Sequence, residues 1–156
     1  MANNSVVSYS GDGPDPAVVP DVANSSYAYL YTTDSGSYHI PDCLTTPGGS
    51  GALCGHDALP TPPVQNYPPS PIDTCTNSAQ AELTWAPTVR YLYGEYLMMF
   101  SESISSDPCR ANCIGAATSS EGVTFTPVNS WTLCSGTREL GFLDPYLFQD
   151  PSSGFT

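Results

Sequence analysis

Two stretches of this chain match one another, NSSYAYLYTTDS at 24–35 and YGEYLMMFSESI at 93–104, at an offset of 69. Tyr27 meets Tyr96, Leu30 meets Met99, Tyr31 meets Phe100 and Thr32 meets Ser101. Upstream, DPAVVPD (15–21) opens the first unit, WAPTVRY (85–91) opens the second, and DPYLFQD (144–150) reads as a third opening. A unit of roughly 65 residues with several short strands cannot bury its apolar face alone and must stack on its neighbours. Propeller blades with long loops satisfy that demand. The predicted units run near 15–84, 85–143 and 144–156, the last incomplete. A sandwich with coincidental similarity is the alternative.

Local chemistry points the same way. SYAYLYTT (26–33) and RYLYGEYLMMFSES (90–103) are rich in strand-forming Tyr, Leu and Phe, with Tyr93-Gly94-Glu95 as the turn of a hairpin. CIGAATS (113–119) reads as a further strand, and VTFTPV (123–128) as another after the Ser120-Glu121-Gly122 turn. No stretch sustains a 3.6-residue apolar period, and Pro or Gly interrupts every candidate helix, so the predicted class is all-β. Residues 60–73 hold six prolines and are expected to be extended, as a long connection between β units rather than a linker between domains.

The 156 residues include 15 acidic and only 3 basic side chains, for a net charge of −12. Too few basic side chains are present to hold phosphates or anionic lipids, which excludes nucleic acid and membrane as expected partners. No run of 18 apolar residues occurs, and the N-terminus lacks a basic region followed by an apolar one. An apolar content of 40% is too high for a disordered chain.

The cysteines stand at Cys43, Cys54, Cys75, Cys109, Cys113 and Cys134. An even count in a small, turn-rich chain favours disulfides, and six cysteines allow about fifteen pairings. A zinc site from Cys109 and Cys113 with His39 or His56 competes, but its spacing does not fit paired knuckles. Both histidines are expected at the surface. Cys113 starts one strand and Cys134 ends its neighbour, so a cross-strand bridge is expected there. Cys43 and Cys54 could close the loop between them, leaving Cys75 with Cys109. Disulfides, with sequons at Asn3 and Asn24, predict a secreted chain, read here in mature or trimmed form.

GDGPDPAVV (11–19), HDALP (56–60), WAPTVRYLYGEYLMMFS (85–101), CIGAATS (113–119) and GFLDPYLFQD (141–150) together resemble glycoside hydrolase family 43. The resemblance implies a five-bladed β-propeller, of which this chain carries the first two blades and the start of the third. It implies inverting hydrolysis of arabinose- or xylose-containing plant polysaccharides at a central funnel. Asp15 falls where the family has its general base, and Asp144 where it has an aspartate that tunes and orients the acid. Trp85 would be a sugar-stacking wall, and Thr88 stands where the family usually has an acidic residue. Inversion needs a carboxylate to activate water and a carboxylic acid to protonate the leaving oxygen, roughly 6.5–9.5 Å apart. A third carboxylate raises the acid's pKa by like-charge repulsion.

The family's acid, a Glu in a Glu-(Gly/Ala)-Pro context, has no counterpart among Glu82, Glu95, Glu102, Glu121 and Glu139. The late-blade histidine that often holds a central calcium or water is also missing, so no cofactor is expected. The enzyme reading is therefore of a chain short of its acid, with little activity alone and with open sheet edges that could self-associate. A non-catalytic secreted carbohydrate-binding or structural β protein is the alternative, and a small disulfide-stabilised β protein unrelated to sugars is a third.

Overall fold

The computed structural model describes residues 8–9, 14–33, 41–45, 50–51, 56–61, 64–65, 79–80, 83–103, 112–134, 142–148, 150 and 152. Every regular element among them is a strand. The first stretch holds β1 (Ser8–Tyr9), β2 (Ala17–Pro20), β3 (Ala28–Tyr31), β4 (Pro41–Thr45), β5 (Ser50–Gly51) and β6 (His56–Asp57). Next come the two-residue β7 (Val64–Gln65) and β8 (Ala79–Gln80). The second stretch holds β9 (Leu83–Leu92), β10 (Glu95–Ser103), β11 (Asn112–Ser119), β12 (Thr126–Pro127) and β13 (Leu133–Cys134).

These strands make two main antiparallel sheets. One has the order β2-β3-β4-β6; the other has β9-β10-β11-β12, with β13 also paired to β11. Short pairs β1–β5 and β7–β8 accompany them, the second drawing Val64–Gln65 out of the proline-rich segment. Tyr93 and Gly94 form the two-residue turn between β9 and β10, with φ of 53° and 93°. Positive φ at both positions matches the right-handed twist of the flanking strands, and Gly94 adopts it without a Cβ penalty. The strand expected at 123–128 is reduced to Thr126–Pro127. Its start leaves the ladder because the Phe125 N–H donates to the Ala58 carbonyl (2.7 Å), stitching the second sheet to the end of the first.

The core lies between the two sheets. Val19, Tyr29 and Tyr31 from the first pack with Val89, Tyr96, Met98, Phe100 and Ala117 from the second, closed by Ala58, Leu59 and Phe125. HDALP thus supplies core residues, with the Asp57 carboxylate accepting from the Leu59 N–H (3.0 Å) to form the local turn. Tyr29 meets Tyr96 edge-on at 5.7 Å and Tyr31 meets Phe125 edge-on at 5.6 Å. Each such pair adds about 0.5–1.5 kcal/mol to area burial. The buried phenols are satisfied across the seam: Tyr31 Oη donates to the Gly122 carbonyl (2.5 Å), and Tyr96 Oη accepts from the Val22 N–H (2.9 Å).

The ladders fix the offset at 68 on the second strands of the two units and at 71 on their opening strands, rather than at 69 throughout. Ala17 pairs with Tyr31, while Thr88, the equivalent residue two beyond its own Xaa-Pro opening, pairs with Met99. A one-residue slip exchanges the two faces of a sheet. The first sheet presents Tyr29 and Tyr31 forward, and the second presents Tyr96, Met98 and Phe100 backward, onto one shared seam. Matching aromatic with aromatic therefore aligns opposite faces. At the true register Val18 corresponds to Val89, and the two are 61% and 6% exposed because only Val89 faces another described sheet.

Cys113 and Cys134 are opposite one another on β11 and β13 and form a disulfide. The side chain of Cys43, and Cys54, Cys75 and Cys109 altogether, lie outside the described residues. Non-reducing peptide mapping is expected to recover Cys113 joined to Cys134. Cys113→Ser should lower the stability measured in urea by about 3 kcal/mol. Gly115 is a packing glycine: a Cβ there would lie 2.7 Å from the Phe100 ring and 2.8 Å from the Glu102 carboxyl. Gly115→Ala is expected to cost about 1–3 kcal/mol on the same scale.

Candidate active site

Three Xaa-Pro steps repeat at the openings of the units: Asp15-Pro16, Ala86-Pro87 and Asp144-Pro145. Asp15, Ala86 and Asp144 share a left-handed backbone, with φ of 54°, 49° and 53°. A non-glycine residue there costs about 1–3 kcal/mol and persists only where its surroundings over-determine it. Hydrogen bonds supply that determination. The Ala86 N–H donates to Thr33 Oγ1 (2.9 Å), and the Asp144 N–H donates to Ser101 Oγ (2.9 Å). Thr33 and Ser101 occupy the same place in their units, 68 apart, Thr33 just past β3 and Ser101 near the end of β10, and both are buried.

The three residues come together on a cleft of about 520 Å³. Its walls are the opening of the first unit from Asp15 to Pro20, that of the second from Ala86 to Arg90, and Asp144 with Pro145 and Tyr146. The two predicted acids, about 130 residues apart in sequence, are thus neighbours on one cavity, and both are exposed to it. Thr33 Oγ1 donates to Asp15 Oδ2 (3.0 Å). Trp85 is half-buried beside Ala86, opposite Ser101 in the ladder, and is not among the residues lining the cleft. Thr88 lines the cleft and Oγ1 accepts from the Leu147 N–H at 3.5 Å.

Arg90 and Tyr146 were not singled out by sequence. Arg90 donates from Nε to the Leu147 carbonyl (3.2 Å) and from Nη2 to Tyr146 Oη (3.3 Å), with its guanidinium 5.9 Å from the Tyr146 ring centroid. It ties the third opening to the second sheet and gives the cleft a cation beside its two acids. Its only sequence signal was being one of 3 basic residues. Among the described residues no group of three His, Cys, Asp or Glu side chains could hold a metal ion. A calcium donor set is therefore not found among them.

Glu102 lies off the cleft. It pairs with Thr84 and Cys113 across β9, β10 and β11, is fully buried, and folds over Gly115 beside Phe100. Neither carboxyl oxygen has a hydrogen-bond partner among the described residues. Burial alone pushes its pKa up to about 8. The neutral acid is the form the fold accepts, so its stabilising effect is complete below the ordinary value near 4.5 and is lost as pH rises toward 8. Wild-type stability is expected to fall by about 1.4 kcal/mol per pH unit across that window. Urea midpoints at pH 5, 6, 7 and 8 check this, and Glu102→Gln should flatten the trend.

No protein-family model matches the sequence, and no curated protein is detectably similar to it. Solved structures do match the fold. The chain is similar to an exo-β-1,3-galactanase from Phanerochaete chrysosporium in complex with β-1,3-galactotriose, with a TM-score of 0.58 at 18% identity. That match covers 92% of this chain and 31% of the galactanase. A family 43 β-xylosidase/α-arabinofuranosidase from a compost microbial metagenome, complexed with xylotriose in calcium-free form, gives a TM-score of 0.52 at 17% identity. It is matched over 90% of this chain and 40% of its own. The class the fold defines is the all-β propeller. More particularly, the fold is like that of these two glycosidases, and this chain spans only 31–40% of their lengths.

Proposed function

We propose that this chain is part of a secreted, inverting glycoside hydrolase acting on arabinose- or xylose-containing plant polysaccharides. The observation that carries the reading is the convergence of Asp15 and Asp144 on one cleft through identical left-handed Xaa-Pro openings. Asp15 acts as general base, taking a proton from the water that attacks the anomeric carbon. Asp144 raises the proton affinity of the acid that protonates the leaving oxygen, by like-charge repulsion. A general base of this kind contributes about 10²–10⁴-fold to rate. The Cys113–Cys134 disulfide supports an oxidising, extracellular setting.

No Glu lines the cleft among the described residues. In a second reading, the chain binds saccharide in the same cleft without turning it over. Both readings predict that xylotriose added to the 156-residue chain shifts backbone amides at Ala17, Ala86, Arg90 and Tyr146 and leaves those of Val123 and Thr132 unmoved. Shifts confined elsewhere, or none, would sink both. Hydrolysis by a protein that carries these residues together with the family's later-blade glutamic acid, followed by NMR of the anomeric protons, separates them: inverted product that disappears in Asp15→Asn supports the enzyme, and binding without product supports the second reading.

A further inference from the structure

We propose that Thr33 is the positioning residue of the Asp15 carboxyl group, and that it fixes that group only while the second sheet is docked against the first. The proposal rests on the reading of Asp15 as the base. A threonine hydroxyl has one hydrogen to give and lone pairs to accept with. Thr33 is 3% exposed, so water does not compete freely for either role. Its Oγ1 accepts from the Ala86 N–H (2.9 Å) and donates to Asp15 Oδ2 (3.0 Å). The Thr33 N–H in turn donates to the Pro14 carbonyl (2.9 Å), holding the two chain segments side by side. With one lone pair filled by an N–H from the second unit, the hydroxyl hydrogen is turned toward the first unit's acid. Carboxylate orientation thus follows blade–blade docking.

The equivalent hydroxyl supplies an internal control. Ser101 Oγ accepts from the Asp144 N–H (2.9 Å), as Thr33 does from Ala86. The opening residue of its own unit is Ala86, which has no carboxyl group to receive the Ser101 hydrogen. The shared role of the two hydroxyls is to pin the next unit's opening. Orienting an acid is confined to Thr33.

The test uses the isotope-labelled 156-residue chain and needs no turnover. Three-bond couplings from Asp15 Cγ to its backbone nitrogen and carbonyl carbon report its χ1 rotamer. Wild type, Thr33→Ser and Ser101→Ala should each show one rotamer. Thr33→Val, with second-sheet amide shifts retained, should lose it and average over the staggered wells. A single unchanged rotamer in folded Thr33→Val overturns the proposal, as does failure of Thr33→Ser to restore it. Should Thr33→Val not fold, the wild type decides alone. A slowly exchanging Thr33 hydroxyl proton with a nuclear Overhauser effect to the Ala86 amide supports the proposal, and one in fast exchange with water overturns it. Xylotriose titration of the wild type is read separately: its failure removes the proposed function and leaves the rotamer result standing.

Discussion

Everything in this chain depends on one seam, the burial of Tyr29 and Tyr31 of the first sheet against Tyr96, Met98, Phe100 and Phe125. Each sheet by itself would leave its aromatic face in water. The seam removes large aromatic rings from solvent, each worth roughly 1.5–3 kcal/mol. It also satisfies the phenols by hydrogen bonds that cross from one sheet to the other. A Tyr rather than a Phe at these positions ties loops as well as filling space: Tyr31 reaches Gly122, and Tyr96 reaches Val22.

The cleft is a by-product of the same stacking. When equivalent units stack side by side, their innermost strands face one axis, and the residue opening each strand repeats around it. Asp15 and Asp144 need no proximity in sequence because each has only to occupy the opening of its own unit. The strained backbone at Ala86 and Asp144 is offset by hydroxyls from the preceding unit. Stacking and site geometry are therefore one construction, and disturbing the seam disturbs the acids.

Much of this was legible in the chain. The Asp-Pro openings, the Tyr-Gly turn and the Cys113–Cys134 pairing follow from local rules that one-dimensional sequence carries well. The register did not. Residues that meet in the seam come from opposite faces of a repeated unit, so likeness between Tyr31 and Phe100 records a shared environment, not an equivalent position. Thr33 and Ser101 were hidden for the reverse reason. A buried hydroxyl that accepts from another unit's backbone looks in sequence like any Thr or Ser in a strand. Arg90 and Tyr146 pair across more than fifty residues through a segment with no ladder of its own, which periodicity cannot show.

Glu102 shows why a displaced pKa is not by itself a catalytic assignment. A glycosidase needs a carboxyl group protonated near neutrality, and Glu102, held up to about 8 by burial, meets that requirement. Geometry denies it the role. An acid must come within hydrogen-bond reach of the leaving oxygen, and position is decided before proton affinity. Glu102 has no exposed surface, covers Gly115 inside the second sheet's face, and lies off the cleft that Asp15 and Asp144 share. Ser101, the next residue along β10, faces the other way and touches Asp144. Strand alternation thus sets these neighbours to opposite tasks: one hydroxyl pins the site, and one carboxyl is sealed inside the sheet and titrates with the fold.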